Sequence, residues 1–583
     1  MKNLVAIVVL IACSTIAMAQ AEVHGPNDPN FSMKCKTGQY LRYTITSNEN
    51  PYTVTVNGMK GENGNINKLE IPATVHYRDK DFAVTVINKG AFSNIDALVS
   101  VIIPKTVKVI RRDAFKNCSG LKTVKIGGTI EQCLENAFTG TVITKPIYTG
   151  KNLVYYPSSM KEYKINEGTE AILEYAFDNC KEMTSIVIPA SVKKVFATSF
   201  SNCSKLTSIV VADANKTYDS RNNCNAIVVT AENKILAGCS SSLIPDGITR
   251  IGRIAFAHIP IQKIDIPNTV TAIEDSAFFQ CELTTVTIPE SITEIGASAF
   301  NKNKKLAVVN FNAINCKQMS KEYPAFAQCQ ALNSANFGDK VKVVPAFSFI
   351  NCEELRYANL SNSVKEIGDM AFANCKMLSY FELPNSVEKI GEQVFYESGI
   401  SEPVHSDILF AYFPNNYASE YSIPEGIKTI ARKAFNYVTN LKSVKIPNSV
   451  TKIEEYAFSE CKDLESVVMS ISLETMETGA FKYSVKLKSI NLPTTLKTID
   501  VEIFMGCASM ENIVIPNSVT DIKKQAFYDS GVKYITLPKS LNSIYVTALR
   551  ECLNLKCIYI PKGSMSHFKQ IMEPEFHSKL KEK

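Results

Sequence analysis

The chain is 583 residues long, 45% hydrophobic and 21% charged, with a formal net charge of +6. That apolar content excludes a disordered tail, and the small net charge excludes a dedicated nucleic-acid binder, which would cluster Lys and Arg on one face. Trp is absent and the six His (24, 76, 258, 405, 567 and 577) are scattered, which leaves little from which to assemble a nucleophile, its base and an orienting group.

Residues 1–19 read as an export signal. Lys2 gives a positive start, and LVAIVVLIACSTIA is apolar but too short to span a bilayer. Ala-Met-Ala at 17–19 has the small-x-small pattern of a signal-peptidase site, with Gln20 as the new N-terminus. A second reading stays open: Leu10-Ile11-Ala12-Cys13 resembles a lipobox, which would make Cys13 a lipidated first residue and give the protein a lipid anchor. The apolar run before Cys13 is short and continues past it, which favours simple cleavage. No later stretch is apolar enough for a transmembrane segment. Residues 20–65 alternate Tyr, Val and Thr ("QYLRYTIT", "PYTVTVNG") between Gly-rich turns and are expected to form a small β cap.

From residue 66 to 561 one phrase recurs, as in "LKSVKIPNSVTKIEEYAFSEC" at 441–461. Its aromatic position is filled by Phe92, 115, 138, 177, 200, 256, 278, 300, 326, 349, 372, 395, 435, 458, 481, 504 and 527 and by Leu549, mostly 23 residues apart. Three gaps are longer: 138–177, 200–256 and 395–435. Eighteen units of one period predict a β-rich solenoid, not several globular domains. In each unit "LKSVKI" alternates as a half-buried strand, Pro447 ends it, "NS" turns, "VTKI" is a second short strand, and Ala457-Phe458 bends the chain back with the ring inside. A 23-residue unit cannot bury these side chains alone; stacking on neighbours can. At about 4.8 Å per coil, the stack predicts a rod on the order of 90 Å. Beyond it, residues 562–583 carry Phe568, Ile571 and Met572 at helical spacing, expected to close the last coil, followed by a solvated tail, "HSKLKEK".

The phased pattern of Leu, Ile, Pro, Ser/Thr, Ala-Phe and Cys resembles the BspA-like leucine-rich repeats of bacterial surface proteins. Residues 215–256 resemble that family's long unit with an inserted hairpin, and 69–92 its opening repeat, with a hairpin around Tyr77 to Asp81. The other two long gaps use the same device, an aromatic pair, a Pro and a polar turn, and are read as projecting hairpins. The resemblance implies adhesion or protein–protein recognition, with host extracellular-matrix or cell-surface proteins or other bacterial surface proteins as partners. With the export signal, the protein is expected at the cell surface or secreted, with the periplasm also open. Two other functions stay open: a structural or assembly component of the outer envelope, and an accessory module for surface glycan handling.

Ten Cys lie three residues after the aromatic position, at 118, 180, 203, 281, 329, 352, 375, 461, 507 and 552, while Asn303, Ser398 and Ser530 take the same phase elsewhere. No C-x-x-C pair occurs, so neither a metal site nor a cofactor is expected, and the phased Cys read as small buried thiols. Disulfides stay open, above all among the out-of-phase Cys35, Cys133, Cys224, Cys239, Cys316 and Cys557. No catalytic residue is assigned and no enzyme activity is expected; His405 and the Glu454-Glu455 pair read as surface residues. What remains is the outward strand face. Its candidate partner-binding residues are Asn310, Asn336, Tyr357, Asn359, Tyr380, Glu382, Lys445 and Asn491, since Tyr and Asn suit adaptable contacts. The competing reading is a solvated face with Asn side chains stacked across strands.

Overall fold

The computed structural model describes residues 29–60, 66–160 and 162–583. The leader, its Gln20 cleavage site, Cys13 and the start of the cap lie outside the described residues. The chain forms two compact units, Met1–Tyr155 and Tyr156–Lys583.

The first unit opens with three antiparallel strands, Asn30–Lys34, Tyr40–Ser47 and Thr53–Met59. Phe31 stacks on Tyr77 at 4.1 Å and on Tyr43 at 5.4 Å beneath them. Thr53–Met59 then runs parallel to Lys80–Ile87, which also pairs antiparallel with Thr74–Tyr77. Arg78 and Asp79, both at positive φ, make that tight hairpin where the resemblance implies one. Val109–Ile110 and Gln132–Cys133 extend the sheet in parallel. A second parallel sheet joins Lys68–Glu70, Ser100–Ile103 and Thr123–Ile126. Between the sheets Phe92, Phe115 and Phe138 stack at 5.5 Å per step.

The second unit repeats that coil. Its long strands pair in parallel, for example Ser443–Lys445 with Ser466–Val468, and so do its two-residue strands, for example Lys452–Ile453 with Thr475–Met476. Inward and outward residues alternate: Val444 and Ile446 are buried and Lys445 is exposed. All eighteen aromatic-phase residues of the chain are buried. Phe435, Phe458, Phe481, Phe504 and Phe527 form one continuous stack with centroids 4.6–5.9 Å apart.

The bend that carries each ring is an alternation of backbone handedness. Tyr456 and Glu460, two residues before and after Phe458, adopt φ of 57° and 60°. Alternation aims three N–H groups along the stack: Tyr456 donates to Thr478 O at 2.9 Å, Phe458 to Ala480 O at 2.8 Å and Glu460 to Lys482 O at 2.8 Å. The left-handed conformation costs an ordinary residue about 1–2 kcal/mol, and the inter-coil bonds offset it. Asn tolerates that conformation, which accounts for Asn94, Asn117, Asn179, Asn202, Asn351 and Asn374 at the later position. Glu551 sits there at φ 61° with its side chain exposed. Glu551→Gly is therefore expected to raise stability by about 1 kcal/mol in thermal denaturation; a loss of stability would contradict this account of the bend.

Hairpins occupy all three long gaps: Ile147–Thr149 with Asn152–Tyr155, Ala226–Val229 with Lys234–Gly238, and Val404–His405 with Leu409–Tyr412. They do more than project. In the second unit the return strands enter the stack, pairing in parallel with Arg250–Ile251 and Thr429–Ile430. Each gap also supplies a further rung, since Tyr156, Gly238 and Phe413 donate to Ala176, Ala255 and Ala434 O, as the regular rungs do. Tyr156 stacks on Phe177 at 5.1 Å and Phe413 on Phe435 at 4.8 Å.

At the C-terminus the helix Met565–Ile571 buries Phe568, and Met572 is buried beside it. The tail is not solvated throughout as expected: Leu580–Glu582 forms a strand parallel to Cys557–Ile560, with Leu580 buried. An apolar Leu at the right register lets even a charged tail cover the last coil.

Candidate functional site

The outward strand face divides into groups. Asn310, Asn336 and Asn359 stand in register on Val308–Phe311, Ser334–Phe337 and Tyr357–Asn359. Their amides bond one another: Asn336 Nδ2 donates to Asn310 Oδ1 at 2.9 Å and Asn359 Nδ2 to Asn336 Oδ1 at 2.7 Å. Asn310 in turn reaches Thr287 Oγ1 at 3.4 Å. The stacked-Asn reading therefore holds for these three, and much of their polar capacity is spent within the sheet.

Tyr357 and Tyr380 are 61% and 67% exposed, which makes them the large free side chains beside that ladder. Tyr357–Asn359 is the last strand of its sheet; Tyr380 and Glu382 follow on the next coil outside any strand. Lys445 lies in a different sheet, reached after the inserted hairpin coil, and Asn491 lies at the end of a strand of that sheet. Lys445 pairs in register with Val468, and Asn491 immediately follows Ser489–Ile490. The eight candidates thus form two groups, six in one and two in the other. Val468 and Val514, 60% and 65% exposed, lie on the same outward phase as Lys445 and Asn491. The sequence signal for them is a β-branched residue at an outward strand position.

The phased thiols have a structural task. All ten lie 3.0–3.5 Å from the carbonyl of the preceding rung, for example Cys461 Sγ to Phe435 O at 3.0 Å. Asn303 donates to Phe278 O at 2.7 Å and Ser484 to Phe458 O at 2.8 Å from the same position. A small donor fits this position and Cys adds apolar volume, while Ile95, Ile259 and Val438 fill the same phase by apolar packing alone. The sixteen described Cys are all buried. Burial pushes the thiols of Cys180, Cys329 and Cys507 up to about 12 and that of Cys316 up to about 11, so they are neither nucleophiles nor ready metal ligands. A thiol whose pKa is higher folded than unfolded favours the fold while neutral. That contribution is complete below the unfolded value near 9 and shrinks as pH rises toward 12. Alkylation at pH 8 is accordingly expected to leave these Cys unmodified until urea unfolds the chain, and urea midpoints should fall steadily above pH 9. Rapid labelling of the native chain would refute the packing role.

Among the described residues no three His, Cys, Asp or Glu side chains group as a metal site, and no helix is long and apolar enough to cross a membrane. His405 stacks on Phe410 at 5.9 Å and is exposed. Glu454 pairs with Lys452 at 3.1 Å and Glu455 with Arg432 at 3.2 Å. Such pairs recur between coils, as in Lys376–Glu353 at 2.9 Å and Lys389–Glu366 at 2.7 Å; exposed pairs of this kind contribute little stability each.

A family model described as a BspA type leucine rich repeat region matches in six copies, at residues 85–158, 148–228, 231–323, 321–409, 406–530 and 497–581. No curated protein matches the chain significantly. Among solved structures, similarity extends to a leucine-rich repeat protein from Bacteroides ovatus, at 20% identity over 93% of this chain and 98% of that one, TM-score 0.33. One from Eubacterium ventriosum shares 19% identity over 67% and 98%, TM-score 0.42. A leucine rich cell surface protein from Faecalibacterium prausnitzii shares 20% over 93% and 97%, TM-score 0.23.

Proposed function

Since the chain belongs to the BspA-type leucine-rich repeat family, we propose that it is an exported, non-enzymatic scaffold that binds proteins at the cell surface. Its partners would be host matrix or cell-surface proteins, or surface proteins of other bacteria. The observation that carries this reading is the outward strand face, where side-chain identity changes from coil to coil while the buried positions stay fixed. Tyr357 and Tyr380 supply large, exposed, low-entropy contact area on that face. The apolar leader and the Ala-Met-Ala pattern at 17–19 support export, and mass spectrometry of the mature N-terminus distinguishes cleavage before Gln20 from lipidation at Cys13. The function is tested by proximity labelling on living cells with the full chain, followed by binding of the captured partner to the Tyr357→Ala/Tyr380→Ala variant. Binding is expected to weaken at least tenfold, since exposed aromatic anchors carry a large share of interface energy. Unchanged binding would remove this face. Capture of the cell's own envelope components alone would replace adhesion by assembly.

A further inference from the structure

Between Phe395 and Phe435 the stack takes a shortcut. In a regular coil the rung aromatic lies five positions after the second-strand Ile, as Phe435 follows Ile430 and Phe395 follows Ile390. In the inserted coil Phe410 is in register with Ile430, yet the rung is Phe413, only three positions on, its N–H donating to Ala434 O at 2.8 Å. The bends of the flanking coils, at 391–394 and 431–434, therefore reach past the inserted coil. A cavity of about 360 Å³ lies there, near the small end of the ~300–1,000 Å³ typical of ligand pockets. Glu392 ties the flanking coils together, contacting Arg432 Nη2 at 2.5 Å and Lys433 Nζ at 2.9 Å.

The other shortcut in this unit has no such space to spare. Ile235 is in register with Ile251, and the rung after it is Gly238. There the Phe256 ring fills the place a side chain would take.

Two features give the cavity at Phe413 a chemistry. Tyr396, Tyr412, Phe413 and Tyr437 make its walls aromatic. Two of its lining residues hold buried donors without a hydrogen-bond partner, Ser398 Oγ and Arg432 Nε. Ser398 occupies the phase from which the thiols reach a rung carbonyl, and it makes no such bond. Buried donors left unpaired are unfavourable, so two at one cavity call for an oxygen acceptor. The charges of Arg432 and Lys433 are met by Glu392 and Glu455, which favours a neutral acceptor over an anion.

We propose that this cavity is an anchor pocket for the side chain of a tyrosine on a partner protein, its ring between the aromatic walls and its hydroxyl oxygen accepting from Ser398 and Arg432. The proposal rests on the protein-binding reading above, but its probes need no partner. p-Cresol, toluene and N-acetyl-tyrosinamide are titrated into the full chain by NMR, and the p-cresol complex is crystallised. p-Cresol is expected to saturate, to lie between Tyr396 and Tyr437, and to bind at least about fivefold tighter than toluene, the margin of one hydrogen bond. N-acetyl-tyrosinamide should bind comparably. Ser398→Ala and Arg432→Lys, each compatible with the fold, should narrow the p-cresol preference. Equal binding of p-cresol and toluene, binding elsewhere, or no saturation would overturn the proposal. So would exclusion of N-acetyl-tyrosinamide while p-cresol binds, which would mark a site for a free phenol. If the pocket behaves as expected and no partner protein is captured, the protein-binding reading fails separately.

Discussion

Replacing Phe458 by alanine is expected to lower stability by about 3–5 kcal/mol, the usual range for emptying a fully buried aromatic site. Phe458 is completely buried, with the rings of Phe435 and Phe481 stacked 4.6 and 5.1 Å away on either side. Both neighbours lose a contact surface, and the coil cannot collapse to close the gap because its backbone is tied on both sides: Phe435 donates to Ala457 O and Phe458 to Ala480 O, each at 2.8 Å. Urea unfolding followed by circular dichroism measures the loss. A change below about 1 kcal/mol would mean the ladder is ornamental, since even a surface substitution can reach half that size.

The second large effect is expected at Gly238. A Cβ there would lie 2.0 Å from Phe256 Cε1 and 2.7 Å from Cδ1 and Cζ. The Phe256 ring cannot retreat, because it is fully buried and stacks on Phe278 at 5.1 Å. Gly238→Ala should therefore cost about 1–3 kcal/mol by overpacking. The companion change Phe256→Leu destabilises on its own, yet should cost less in the Gly238→Ala background than in the parent chain, because the two sites compete for one volume. Strict additivity in that double-mutant cycle would show that residue 238 and the ring do not share the space.

Much of this architecture is legible in the sequence, because a period repeated many times reports burial at every copy. The aromatic phase predicts the interior at each of its eighteen positions, and the inward and outward alternation of "LKSVKI" predicts which of its residues are buried. The short helix carrying Phe568 is legible from helical spacing, and the hairpin at Tyr77 to Asp81 follows from the family resemblance of residues 69–92. The three extra rungs are not. Tyr156 and Phe413 directly follow the return strands of hairpins, at Phe413 with the spacing shortened from five residues to three, and Gly238 has no side chain to mark its place. Burial of the phased thiols can be read from their phase. Their bond to the preceding rung cannot, since it depends on where the next coil places a carbonyl. The run Asn310, Asn336, Asn359 admits two readings in sequence, a recognition surface or side chains stacked across strands, and its mutually bonded amides match the second. The grouping of candidate residues into two patches depends on the inserted coil between them, which no local pattern measures.

The account stands on coils that hold their shape only through their neighbours, and amide hydrogen exchange on the Phe458→Ala chain tests this most directly. Protection should fall most steeply in the coils on either side, at 430–435 and 476–481, and decline with each coil further away, leaving 285–311 at parent values. Loss of protection confined to the mutated coil, or spread evenly over the whole second unit, would contradict it.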